Sequence, residues 1–289
     1  MLTVAFGLAS ALGYAVHDYL LVRIVRSVSV WTALTWVMLV GLAVLLPLAL
    51  LVDGLPSGDE QWRAAGFAAA SGVLEFLGLG ALLKGLSTGN LSVVTPLGSL
   101  SGGFAAIAVI LLGEALPPIT WVGLPLAVAG GLMASVERAP DSVLGERSRT
   151  RATAGAGWAL LSAALFAGTM LFFAEATALP PVSLAAVGRA ATCVFVVPVA
   201  LLTGGLVLPR GYRRRATVAG VVDAGAFVAL AVAISLGPVA IASVSVAQAG
   251  TWAVVIGLVV LRERLSRVQL AGVVLTCVAI TLLAAAGME

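Results

Sequence analysis

Apolar residues in this chain run in long blocks, broken by short clusters of glycine, proline, serine and charged residues. A block of roughly 20 apolar residues is what a helix needs to cross a bilayer. A soluble helix would instead show an apolar stripe beside a polar face, and almost no segment here does. The pattern predicts spans over about 2–22, 30–52, 63–83, 91–112, 118–136, 155–176, 183–204, 216–236, 238–261 and 267–287. The expected fold is therefore an all-α polytopic membrane protein of ten transmembrane helices. Its longest connection is polar, from Glu137 to Thr153, at the middle of the chain. This divides the chain into a first five-helix repeat over 1–137, a polar cytoplasmic linker over 138–154 and a second repeat over 155–289.

The two halves resemble each other. Sliding the chain by 149 residues brings Ile107 onto Ile256, Leu112 onto Leu261, Glu114 onto Glu263, Leu116 onto Leu265 and Gly123 onto Gly272. Each half thus ends in an apolar helix, a Glu-x-Leu turn, and another apolar helix with an early glycine. An odd number of helices per half forces the halves into opposite orientations, the inverted repeat of many secondary transporters.

Composition agrees. Of 289 residues 61% are apolar and 10% charged, too little charge to cover a soluble domain. The first apolar run starts at Leu2, with no basic region before it and no small-residue cleavage site before Arg23. It reads as a spanning helix rather than a cleavable signal. Cys193 and Cys277 lie inside apolar segments, which supports neither a disulfide framework nor a metal cluster. Lys84 is the only lysine against fifteen arginines, a composition expected of a GC-rich bacterial genome.

Charge also orients the chain. Arg23, Arg26, Lys84, Arg138, Arg147, Arg149, Arg151, Arg210, Arg213–Arg215, Arg262, Arg264 and Arg267 follow the odd-numbered spans. The opposite connections carry Asp53, Asp59, Glu60 and Arg63. The positive-inside bias places both termini outside the cytoplasm, in a bacterial cytoplasmic membrane. The net charge of +3 belongs to these loops and does not call for nucleic acid.

The segment from Val255 to Leu283, VIGLVVLRERLSRVQLAGVVLTCVAITLL, and its echo from Ile107 to Met133, IAVILLGEALPPITWVGLPLAVAGGLM, resemble the EamA group of the drug/metabolite transporter superfamily. Arg189 also matches a basic position common in that group, whereas the equivalent place in the first half, near Thr35 or Trp36, departs from it. The resemblance implies ten helices in two inverted five-helix repeats and the export or exchange of small metabolites.

Polar groups inside spans are costly, so each is a functional candidate. Tyr14, His17 and Asp18 share one broad face of the first helix, with Ser10 a turn earlier. His17 is the only histidine and suits proton exchange near neutral pH; the plainer alternative is that Tyr14 and Asp18 bond at a wet helix end. Glu75 lies mid-span and must be protonated, paired or facing water. Asp223 is nearly equivalent by the repeat, and if both acids face one cavity they could couple protons or hold a cationic group. Ser99, Gln248 and Trp252 fall where helices four and nine bring small and polar residues together, and Pro96 frees a carbonyl in helix four. Close packing by Gly102 and Gly103 is the structural alternative. The candidate substrate-binding residues are thus Tyr14, His17, Glu75, Ser99, Asp223, Gln248 and Trp252, with Glu75, His17 and Asp18 for proton coupling. Arg189, a few residues into helix seven, is expected to snorkel to the interface. Glu114 and Glu263 are expected to cap the helices they precede.

No phosphate-cradling motif, metal-ligand cluster or catalytic Ser–His arrangement stands out. The expectation is a non-enzymatic carrier without a cofactor, a monomer or homodimer whose partners are a small-molecule substrate and the bilayer. The alternatives are a flippase for lipid-linked or drug-like substrates and a membrane assembly protein that does not transport.

Overall fold

A computed structural model of the chain describes residues 1–25, 27–88, 94, 97–135, 146–203, 205–260 and 266–286. Its helices are α1 (Leu2–Val25), α2 (Val30–Val52), α3 (Gly58–Thr88), α4 (Ser101–Leu111), α5 (Thr120–Ser135), α6 (Glu146–Glu175), α7 (Pro181–Thr203), α8 (Arg210–Ser235), α9 (Val239–Val246), α10 (Ala249–Val260) and α11 (Arg267–Ala286). Among the described residues, eight segments are long and apolar enough to cross a membrane, with α9 and α10 together forming one; α4 and α5 are apolar but shorter. No strand occurs among the described residues. α6 starts at Glu146, so the end of the expected linker is helical. Arg26, Pro96, Arg138, Arg262, Glu263 and Arg264 lie outside the described residues.

The internal repeat is visible helix by helix. Adding 151 to the buried positions of α2 lands on buried positions of α7: Thr32 on Ser183, Leu34 on Ala185, Met38 on Arg189, Gly41 on Thr192, Leu45 on Val196 and Ala49 on Ala200. Pro47 and Pro198 correspond in the same way. So do Gly54 and Gly205, which end the two helices at φ 78° and 74°. Each donates its N–H to the carbonyl five residues back, at 3.0 Å to Ala49 and 2.6 Å to Ala200. A side chain would strain that left-handed backbone, so glycine belongs at both helix ends.

Packing follows the same symmetry. α3 lies along α6 as α8 lies along α1, α3 meets α7 as α8 meets α2, and α2 crosses α7, α4 crosses α9 and α5 crosses α11. The strongest contacts therefore run between the halves rather than within them. Small residues set the close crossings. A Cβ at Gly72 would lie 2.1 Å from the Gly188 carbonyl oxygen and 2.9 Å from Ala191 Cβ. At Gly220 it would lie 2.8 Å from the Val37 carbonyl oxygen and 2.7 Å from Val40 Cβ, the repeat-related atoms. Gly123 and Gly272, matched in the sequence repeat, pack in the same reciprocal way, on Leu283 and on Ala134.

Polar bonds clamp the two ends of the bundle. Asp53 Oδ2 accepts from the Ser183 N–H at 3.0 Å and its hydroxyl at 2.8 Å, capping the start of α7. Glu114 accepts from the N–H groups of Val239 at 2.6 Å and Ala240 at 3.0 Å. This corrects the expectation from sequence: Glu114 caps α9 in the other half, not the helix that follows it. At the opposite end Thr32 Oγ1 donates to the Gly205 carbonyl at 2.7 Å and Trp36 Nε1 to the Leu206 carbonyl at 2.6 Å. Leu39, Leu46, Leu50, Leu161, Leu201 and Leu270 face outward, while Glu75, Arg189 and Asp223 lie inside, the arrangement that lipid surroundings impose.

Candidate functional site

Three helices bring a buried charge cluster together at the centre. Glu75 of α3 is 8% exposed, Asp223 of α8 2% and Arg189 of α7 0%. Arg189 Nη1 donates to Glu75 Oε1 at 3.2 Å, and Nη2 lies 2.7 Å from Asp223 Oδ2 as an ion pair. That second contact sits off the N–H directions, so it is Coulombic rather than a hydrogen bond. Thr192, one turn beyond Arg189, donates to Glu75 Oε2 at 2.7 Å. The guanidinium carbon stands 4.4 Å from the centroid of the Phe227 ring, a cation–π distance, and Nη1 touches Met38 Sδ.

The expected snorkelling of Arg189 is therefore wrong. Eight residues beyond Pro181, it lies about 12 Å along the helix, too deep for its side chain to reach the interface in place of two nearby carboxylates. The repeat explains the position. Met38 is the counterpart of Arg189, and the two touch where α2 crosses α7. Glu75 and Asp223 flank that crossing at an offset of 148, each one turn beyond a packing glycine, Gly72 or Gly220. Two symmetric acids thus share one asymmetric cation. Thr35 and Trp36, the places the family resemblance suggested, are not its equivalents.

Of the residues singled out from sequence, the structure gathers Tyr14, His17, Glu75 and Asp223. Tyr14 packs on the central apolar cluster and feels the charges of Asp223, Glu75 and Arg189. His17 is buried, also feels the charges of Asp223 and Arg189, and its Nδ1 lies 3.1 Å from Asp18 Oδ1. Asp18 turns outward, its side chain 67% exposed. Gln248 lies elsewhere, at the break between α9 and α10. Its Nε2 donates to the carbonyls of Ala127 and Val244, and its Oε1 accepts from Thr251 and Thr276. Ser99 is half-buried in the turn ahead of α4, at the position that the 149-residue offset relates to Gln248, and Trp252 is half-buried on α10. Gln248 and Trp252 make no hydrogen bond or ion pair with the Arg189 cluster. A groove of about 320 Å³ opens at the Glu114 end instead, lined in part by Phe67, Phe172, Glu114 and Glu175.

Sequence reasoning missed Thr192, Met38 and Phe227 as parts of the cluster. One signal was available: Pro47 with Pro198 and Gly54 with Gly205 give the middle helices an offset of 151, which places Arg189 opposite Met38.

A family model, the EamA-like transporter family, matches residues 1–136 and 153–285. The chain belongs to the EamA-like transporter family. This family is part of the drug/metabolite transporter superfamily and makes the chain a multi-pass membrane transporter of small substrates. The two matched stretches are the two repeats seen in the helix packing. A solved structure described only as a crystal structure of protein shares the fold, with a TM-score of 0.78 at 16% identity, covering 97% of this chain and 95% of its own. No curated protein matches the chain.

Proposed function

We propose that this EamA-like chain is a ten-span, alternating-access secondary transporter of a bacterial cytoplasmic membrane. It exports or exchanges small metabolites, amino acids or amphipathic compounds, and is driven by protons, with both termini outside the cytoplasm. The observation that carries this reading is the charge balance of the buried cluster. Two carboxylates face one permanently charged guanidinium, so full ionisation leaves one uncompensated negative charge in a low-dielectric centre. A proton or a cationic substrate group relieves it, and competition between the two would couple their movements. Tyr14, His17, Glu75 and Asp223 would hold the substrate's polar end, while Ser99, Gln248 and Trp252, at or beside the repeat-related helix breaks, would shape the path.

The test is transport by the full chain in proteoliposomes, using a panel of amino acids and amphipathic cations with and without an imposed pH gradient. At least one solute should accumulate faster when protons flow against it, and Glu75→Gln or Asp223→Asn should change that dependence. Transport of a solute that ignores the pH gradient would remove the proton from the proposal. Scrambling of labelled lipids without any solute transport would favour the flippase.

A further inference from the structure

The two acids are related by the repeat, but their surroundings are not. Glu75 takes a hydrogen bond on each oxygen, from Arg189 and from Thr192. The counterpart of Thr192 is Gly41, so Asp223 has no corresponding hydroxyl. Its Oδ2 makes no hydrogen bond among the described residues.

The flanking helices differ as well. α3 crosses α6 with Gly78 against Phe166, and α8 crosses α1 with Ala226 against Gly13. In that register Ser10, Tyr14 and His17 of α1 stand where α6 carries Ala163, Ala167 and Met170. The hydroxyls near Glu75 are all bonded, Ser162 to the Gly78 carbonyl, Thr169 to the Ser71 carbonyl and Thr192 to Glu75 itself, whereas the polar groups that α1 adds on the side of Asp223 are not. Ser10 Oγ and His17 Nε2 are buried without a hydrogen-bond partner among the described residues. Buried polar atoms are nearly always paired, so these two unsatisfied groups, beside a carboxylate whose Oδ2 is held by the charge of Arg189 alone, point to a place where protons, water or substrate exchange. His17 joins this place to the outside, because its other nitrogen contacts the exposed Asp18.

On these grounds we infer that Asp223, rather than its repeat counterpart Glu75, is the carboxylate that takes up and releases the transported proton, with His17 and Asp18 as its route to water. The inference rests on the transport reading above and assigns its proton. The step is a simple exchange: a proton from the aqueous phase passes through the two His17 ring nitrogens, adds to the Asp223 carboxylate, and later leaves it. The ionisable groups within electrostatic reach of Asp223 are Tyr14 and His17 from α1, Glu75 from α3, and Arg189 and Cys193 from α7; α2 contains no ionisable residue.

The experiment is an infrared pH titration of the full-length protein in lipid nanodiscs, following the carbonyl stretch of protonated carboxyl groups. A titrating band should be lost in Asp223→Asn and kept in Glu75→Gln. Because either change disturbs a buried charge, Gly41→Ser is the second variant. Its Cβ would sit 3.5 Å from the Gly220 carbonyl oxygen and 3.8 Å from Arg189 Nε, ordinary contact distances. The new hydroxyl should do for Asp223 what Thr192 does for Glu75. It should weaken proton binding about tenfold, one pH unit at the midpoint. A band lost in Glu75→Gln but kept in Asp223→Asn would overturn the inference, as would a midpoint unmoved by Gly41→Ser or no titrating band in the unaltered chain. The proteoliposome assay keeps the two claims apart: an Asp223 band in a protein indifferent to the pH gradient would sink proton-driven transport but leave the assignment standing.

Discussion

Arg189 draws its stability from two carboxylates and one aromatic face, and its neighbours depend on it in turn. A buried ion pair can be nearly neutral overall, because desolvation offsets attraction, yet removing one partner strands the other. Arg189→Met should therefore destabilise the protein by about 3–5 kcal/mol, read as a large fall in unfolding temperature in detergent. A small shift would mean that the two acids already share enough protons to do without the cation. Thr192 acts on a smaller scale. Thr192→Val keeps the shape and removes a donor to a buried carboxylate, costing about 1.5–3 kcal/mol in the same measurement.

Between elements, the repeat makes a sharper prediction. α2 and α7 present equivalent buried faces, and Met38 and Arg189 meet at their crossing. A cation placed on either helix can serve the same acid pair. The double variant Met38→Arg with Arg189→Met should recover most of the stability that Arg189→Met loses. Recovery of less than a third would show that the neighbouring asymmetry, Gly41 against Thr192, matters more than the shared crossing. The end clamps belong to this scale too. Glu114 satisfies the first N–H groups of α9 across the interface between the halves. Glu114→Ala should cost about 1 kcal/mol as a lost cap, with loosening read by hydrogen exchange at Val239 and Ala240 rather than in α5.

For the whole molecule, the packing of each half against the other is the governing fact. α3 pairs with α6 and α1 with α8, while contacts inside a half are few. Each half alone would expose the small-residue faces that now lie backbone to backbone at Gly72, Gly220 and Gly272. Residues 1–140 and 141–289 made as separate chains should copurify when expressed together, through a tag on one of them. Expressed singly, each should be protease-sensitive. A first half that is resistant by itself would show that it builds a core the helix contacts do not reveal.

Much of this was legible in the chain because a bilayer sets a simple length rule. The unbroken apolar blocks determined that helices cross a membrane, and the α2 range of 30–52 was fixed by its flanking polar turns. The repeat at Glu114 and Gly123 was legible because both halves keep the same turn chemistry. Glu75 stood out since a mid-span acid has no cheap explanation. What periodicity could not reach was pairing across the halves, which depends on three-dimensional register rather than on order along the chain. Arg189 reads from sequence as a residue near a helix start, and only the crossing of α2 with α7 turns it inward between Glu75 and Asp223. Glu114 reads as a cap for the next helix, and only the packing of the loops gives it α9. The sequence by itself determined a two-repeat membrane protein with acids in its interior. The tertiary structure alone decided that those acids share a single cation and that their surroundings differ, because helices in lipid associate through close contacts of small residues whose partners lie more than a hundred positions away.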